Sequence, residues 1–172
     1  IFLKSKPNPK PIIKMSNTKL KPIEKIGYGL GDFGSNVVFQ TILILLPAFY
    51  TDVFGLTPAV MGTMFLAVRL LDTVTDPIMG IIADNTNTKW GKFRPYLLWF
   101  AIPFAVVFVL TFITPDLSES GKIIYAYLTY SLLMILYTVV NIPYCALGGV
   151  ITSDSQERVS ANSYRFVIAT FA

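Results

Sequence analysis

The chain has 172 residues, 53% of them hydrophobic, 14% aromatic and only 14% charged, with a formal net charge of +4. A soluble domain carries about 25% charged residues, so this apolar share points to the bilayer as solvent. A single cysteine, Cys145, and the absence of histidine exclude a disulfide framework, multi-cysteine metal sites, His-based triads and histidine proton relays.

Residues 1–25 form a basic tail with seven lysines against Glu24, whereas the rest of the chain has seven basic and nine acidic residues. The basic balance therefore belongs to the tail and not to a nucleic-acid-binding face. A lysine- and proline-rich stretch of this kind reads as a solvated arm. Met15 followed by Ser16-Asn17-Thr18 reads as a polar start, so Ile1–Lys14 are expected to lie upstream of the natural protein.

Four apolar stretches of membrane length follow, approximately Ile26–Tyr50, Pro58–Ile82, Tyr96–Ile113 and Ile123–Leu147. About 20 apolar residues cross the hydrocarbon core, so each is expected to be a transmembrane helix. A fifth apolar run begins near Val159. To residue 172 it makes about 21 Å of helix, short of a roughly 30 Å core. It is expected to be a cut helix, and the chain the front of a longer membrane protein. The separators at 51–58, 84–95, 114–122 and 152–158 carry turn and polar residues. Lysine and arginine in short flanks favour the cytoplasmic side. The tail has seven and the 84–95 loop three, against none in 51–57 and only Lys122 in 114–122. The N-terminus is expected inside.

Several ionisable residues fall within these spans, each costing about 2.5–3.5 kcal/mol on insertion scales. Arg69 and Asp72 stand at i, i+3 and can form a structural pair. Asp72 and Asp76 stand at i, i+4, on one face with Cβ atoms about 5–6 Å apart. At an effective dielectric near 20, two carboxylates about 5 Å apart repel by roughly 3 kcal/mol. An empty pair is expected to take up a proton or a cation such as sodium. Pro77 lacks an N–H, which leaves the Thr73 carbonyl free as an extra ligand. Thr138, Asn141 and Cys145 share a face of the fourth span, where Pro143 frees the Val139 carbonyl. Interhelical hydrogen bonding is an equally good reading of that face. Asp32, Asn36 and Gln40 form a polar stripe on the first span, suited to a water-filled cavity and a polyhydroxylated solute. Gly29-Leu30-Gly31-Asp32-Phe33-Gly34 fits G-x-G-x-x-G but lacks the strand that a dinucleotide fold requires. Gly27, Gly31 and Ser35 instead make a small-xxx-small packing face.

The segment Leu71-Asp72-Thr73-Val74-Thr75-Asp76-Pro77-Ile78-Met79-Gly80, with Ala83-Asp84 and Lys89-Trp90-Gly91-Lys92-Phe93-Arg94-Pro95, resembles the signature of the glycoside–pentoside–hexuronide:cation symporters of the major facilitator superfamily. Tyr50-Thr51-Asp52-Val53-Phe54-Gly55-Leu56 and Asn141-Ile142-Pro143-Tyr144 are similar to that family too. The resemblance implies an all-α, polytopic fold of twelve helices in two bundles, with sugar and cation bound at midplane and alternating access. This chain would supply about four and a half helices and depend on the missing C-terminal half of the same protein. It implies a cation site at Asp72, Thr75, Asp76 and Thr138, and a sugar site at Ser35, Asn36, Asn141, Cys145 and Arg165. It also implies a gating loop at Gly80, Asp84, Gly91, Lys92 and Arg94.

Relative to melibiose-type members, Ser35 stands for a lysine, Asn36 and Asn141 for aspartates, Cys145 for a tryptophan and Thr75 for an asparagine. Asparagine both donates and accepts, which keeps sugar-hydroxyl binding open. The departures argue against an α-galactoside specialist. They leave a hexuronide, with Arg165 as its partner, and a pentoside or β-xyloside. The co-transported ion is sodium or a proton, with no cofactor and no nucleic-acid partner. No residue set supports enzyme chemistry. The competing reading is a transporter-like sugar receptor in the cytoplasmic membrane.

Overall fold

A computed structural model describes residues 19–172; the expectation about Ile1–Lys14 lies outside the described residues. The described residues form five helices and no strand: α1 Pro22–Ala48, α2 Pro58–Asn85, α3 Arg94–Thr111, α4 Glu119–Val150 and α5 Ser155–Ala169. The fold is all-α. Three helical stretches are long and apolar enough to cross a bilayer among the described residues, Pro22–Val53, Arg94–Thr111 and Glu119–Val150. The second expected span is continuous helix over 28 residues, but Arg69, Asp72 and Asp76 interrupt its apolar surface. Large apolar side chains lie bare, as Ile102 does at 72% exposure. That pattern suits lipid or a further protein surface, not water.

Helix boundaries shift outward from the expected ones where local capping is strong. Pro22 occupies the first turn of α1, where its missing N–H costs nothing, and Glu24 accepts from the Lys21 backbone N–H at 2.8 Å. The helix therefore starts ahead of Ile26 and takes in Lys25. That lysine is buried, with Nζ 2.8 Å from Glu157 and donating to Ser160 at 2.9 Å. Asp154 caps α5 by accepting from Gln156 N at 2.8 Å, so α5 begins at Ser155 and not Val159. After α1 the chain winds through a π-helical turn, Phe49–Val53. Gly55 at φ +79 then reverses it, a left-handed conformation that costs glycine least.

Helix α4 is central. It packs on α2 and α3, while α1 packs chiefly on α5. The main core joins Ile42 and Leu46 of α1 and Tyr50 of the π-helical turn to Met64 and Val68 of α2, Phe104 of α3, and Tyr130 and Leu133 of α4. A smaller cluster holds Tyr28, Tyr144 and Ala161, tying α1 to α4 and α5. There the Tyr28 and Tyr144 rings stack at 5.0 Å, and the Tyr144 hydroxyl donates to the Tyr28 carbonyl.

The glycine-rich segment is helical, and of the expected packing positions Gly31 meets a neighbouring helix and Ser35 is buried, while Gly27 is not packed. A Cβ on Gly31 would lie 2.9 Å from the Tyr144 ring, and one on Gly29 would lie 3.4 Å from the Arg165 backbone. Gly27 faces open space. The close approaches thus fall on Gly29 toward α5 and Gly31 toward α4, because two helices flank α1 there instead of one. Gly148 of α4 lies against the Tyr28 hydroxyl with no room for a side chain. Gly148→Ala is expected to cost about 1–3 kcal/mol by overpacking. It should appear as a lower melting temperature of the detergent-solubilised protein.

Candidate functional site

Two consecutive turns of α2 place Asp72 and Asp76 toward α4, where they line a cavity of about 150 Å³ with Arg69, Tyr137, Thr138 and Asn141. Thr138 donates from Oγ1 to Asp76 Oδ1 at 2.9 Å, a bond across the α2–α4 interface. Asp72 is only 8% exposed, and its Oδ1 is buried without a hydrogen-bond partner. Its Oδ2 lies 3.6 Å from Arg69 Nη1, whose side chain is 58% exposed. This is a loose pair. Two carboxylates and one guanidinium leave the cavity one negative charge in excess. A monovalent cation or a proton would balance it, and a vacant buried carboxylate oxygen is a ready ligand for either.

Not every expected member joins this cavity. Thr75 lines a separate, mostly apolar cavity with Ile78, Met79 and Ile135 that shares only Thr138. Its hydroxyl reaches the Asp72 carbonyl at 3.5 Å. Thr73 sits on the exposed side of α2, outside the lining. The reason is angular: Thr75 stands about 100° around the helix from Asp76, so it meets α4 beside Ile135 and Val139 and not in the carboxylate cavity.

The expected sugar residues are likewise divided. Asn141 lines the carboxylate cavity, and the exposed Cys145 lies one turn further, its Sγ 3.9 Å from Asn141 Oδ1. Asn36 lies on α1, where its Nδ2 donates to the Asp32 carbonyl at 3.0 Å. From α1 the cavity is lined by Phe39, one turn beyond Asn36. Ser35 is buried, with its hydroxyl returned to the Gly31 carbonyl at 3.3 Å. Arg165 of α5 donates from Nε to Asp32 Oδ2 at 2.9 Å, both side chains largely buried, and its guanidinium lies over the Tyr144 ring at 5.5 Å. Arg165 thus meets a carboxylate of its own chain. Asp32 was legible in the sequence only as part of a polar stripe. The available signal was that opposite charges at bilayer depth must find each other.

Two aromatic lining residues have no distinguishing signal in the sequence, Phe39 and Tyr137, whose rings stack at 5.3 Å. Aromatic residues are so frequent in apolar spans that neither stands out.

The loop between α2 and α3 ends α2 with a charged contact. Lys92 donates from Nζ to the Asp84 backbone carbonyl at 3.1 Å, where helix-terminal carbonyls lack partners and carry partial negative charge. Gly91 adopts φ +98, which a side chain would strain. Asp84, Gly91, Lys92 and Arg94 border one groove together with Leu147 and Ile151 at the end of α4. Gly80 lies apart on α2, with open space beside it.

Residues 27–172 match the family described as MFS/sugar transport protein. The chain is 55% identical over 156 residues to the inner membrane symporter YicJ of Escherichia coli, covering 91% of this chain and 34% of that protein. It is 58% identical over 152 residues to the putative glycoside/cation symporter YagG of the same organism, covering 88% of this chain and 33% of that one. It is 46% identical over 147 residues to the isoprimeverose transporter of Lactiplantibacillus pentosus, covering 86% of this chain and 31% of that protein. The chain spans about one third of the length of these relatives.

Proposed function

The chain belongs to the MFS/sugar transport family, among relatives named as symporters, and from that premise we propose that it forms the cation-binding portion of a sugar:cation symporter working by alternating access. The carrying observation is the α2–α4 cavity, where Asp76 is bonded to Thr138 and Asp72 keeps a buried, unpartnered oxygen. A membrane receptor that only binds sugar gains nothing from an excess buried charge. A coupled carrier needs one, because the driving cation must bind where the sugar can sense it. By linkage, a cation that favours sugar binding is itself bound more tightly when sugar is present, by the same factor.

Asp72, Asp76 and Thr138 supply oxygen ligands suited to sodium, and the carboxylates can equally carry a proton. Thr75 supports the cavity from the adjoining turn. Asn36 and Asn141, the latter with Cys145 beside it, present amide donors and acceptors to sugar hydroxyls, and Ser35 shapes α1 behind Asn36. The substrate is a glycoside, pentoside or hexuronide, in keeping with relatives named for a glycoside and for isoprimeverose. The Lys92–Asp84 contact, with Gly91 and Arg94, holds the α2–α3 loop as a gate element. The protein sits in the cytoplasmic membrane with its N-terminus inside.

Labelled-sugar counterflow by the full-length carrier in vesicles tests this reading. Exchange of external label for internal sugar is expected, and binding without exchange would identify a receptor instead. In the same assay, Asn36→Ala and Asn141→Ala should each remove a hydrogen bond worth about 0.5–1.5 kcal/mol. That weakens sugar binding about twofold to tenfold, and parental affinity in both variants would make these residues packing contacts only. Orientation has its own measurement. A cysteine at the exposed Asn87 position, in a Cys-free background, should resist an impermeant thiol reagent outside intact cells. Rapid labelling there would reverse the topology.

A further inference from the structure

The cavity that holds Asp72 and Asp76 is built by α2 and α4, and among the described residues one side chain of α1, Phe39, reaches it. The Phe39 ring stacks on Tyr137 of α4 at 5.3 Å, with the two planes 21° apart. Phe104 of α3 meets the same Tyr137 ring at 6.2 Å. Tyr137 directly precedes Thr138, whose hydroxyl donates to Asp76 at 2.9 Å. Asn141 follows Tyr137 about one turn later on α4, and Asn36 precedes Phe39 by about one turn on α1. The ring pair is thus where α1, the helix that carries Asn36, touches the carboxylate cavity. About 16 Å away along α1, Tyr28 and Tyr144 hold the same two helices by a stack and a buried hydrogen bond. The Phe39–Tyr137 contact has no such bond from Phe39. Ring pairs remain favourable over centroid separations of about 4.5–7 Å, so this contact can shift without breaking.

We propose that Phe39, through its stack on Tyr137, is the positioning residue that couples cation occupancy to sugar binding. This rests on the symport reading and deepens it by naming the contact through which the sugar site senses the cation. In the empty cavity the two carboxylates repel, and a bound cation draws them together. Asp76 then carries Thr138 with it, and Tyr137 moves as the next residue of α4. Tyr137 presses on Phe39, so the spacing between Asn36 on α1 and Asn141 on α4 changes. A sugar that bonds both asparagines favours one spacing, and that preference is the differential contact a coupled equilibrium requires. Phe39 offers no oxygen to the cation and no hydrogen bond to the sugar, so it acts through its neighbours.

The test measures equilibrium binding to the full-length carrier in vesicles. The probe is whichever of nitrophenyl β-xyloside, β-glucoside and β-glucuronide binds the parent most tightly. Its affinity is compared in sodium against choline, and at acid against alkaline pH, and the readout is the ratio given by the effective cation. Linked sites commonly change each other's affinity by about 5–150-fold, and the parent is expected to show a ratio of at least about tenfold. Phe39→Leu keeps apolar bulk but loses the ring face, and should bring the ratio close to one. Phe39→Tyr keeps the stack and should retain the ratio. Tyr137→Leu removes the stack from the other helix and should also lower the ratio, which keeps the test decisive where Phe39→Leu fails to fold. A role in packing alone would weaken sugar binding equally with and without the cation. A parental ratio in either leucine variant therefore overturns the proposal while leaving the symport reading standing. A parent whose affinity ignores sodium and pH alike overturns the symport reading, and the proposal with it.

Discussion

Asp76→Asn in the full-length carrier is expected to abolish uphill sugar accumulation while leaving part of the energy-independent exchange. The substitution keeps shape and a hydrogen-bonding acceptor for Thr138, which now donates to Asp76 Oδ1 at 2.9 Å, but removes the negative charge. The cavity is then left with Asp72 and Arg69 alone, a neutral set with no excess charge to attract a cation. One lost charge–charge interaction at about 5 Å and an effective dielectric near 20 is worth roughly 3 kcal/mol. That is about a hundredfold in cation affinity, enough to uncouple sugar movement from a cation gradient at ordinary concentrations. Exchange needs only that the sugar-loaded carrier reorient, so it should survive in part. Uptake driven by a sodium gradient, uptake driven by a pH gradient, and counterflow are measured separately. Normal accumulation under either gradient would remove Asp76 from the coupling site.

Arg165→Ala is expected to destabilise the protein far more than the double variant Arg165→Ala/Asp32→Asn. Removing one partner of a buried ion pair leaves the other charge uncompensated, at a cost of about 3–5 kcal/mol. Asp32 is the more buried member, so the stranded carboxylate has few other partners and poor access to water. Arg165 keeps 23% of its side chain exposed, which places the expected cost toward the lower end of that range. A loss near 3 kcal/mol should appear as a clearly lower melting temperature. Neutralising Asp32 as well should recover most of that loss, because replacing both charges removes the desolvation penalty along with the attraction. Melting curves of the full-length protein in detergent give the comparison. Equal losses in the single and double variants would show that Arg165 acts by its packing on Tyr144 and not by its charge.

The helices were readable because their signals are local. Apolar runs of membrane length are set by residues close in sequence, and so is the i, i+4 placement of Asp72 and Asp76. The recurrence of proline and glycine at the helix breaks is equally local. The membrane character, the multi-helix architecture and the charged pair on α2 all follow from composition and periodicity. The motif resemblance between residues 71 and 95 carried the family.

What the sequence could not decide is which polar residue faces which across the bundle. Asp32 and Arg165 stand 133 positions apart, and nothing local distinguishes a guanidinium kept for an anionic sugar from one consumed by its own chain. Thr75 reads as a companion of Asp72 and Asp76, yet the rotation of α2 against α4 sends it to a different cavity. Lys25 reads as the last residue of a solvated tail until α5 brings Glu157 to it. Helical periodicity determines which residues share a face. Only the packing of α1 on α5 and of α2 on α4 decides what that face meets, because charge pairing at bilayer depth is set by through-space distance and not by separation along the chain.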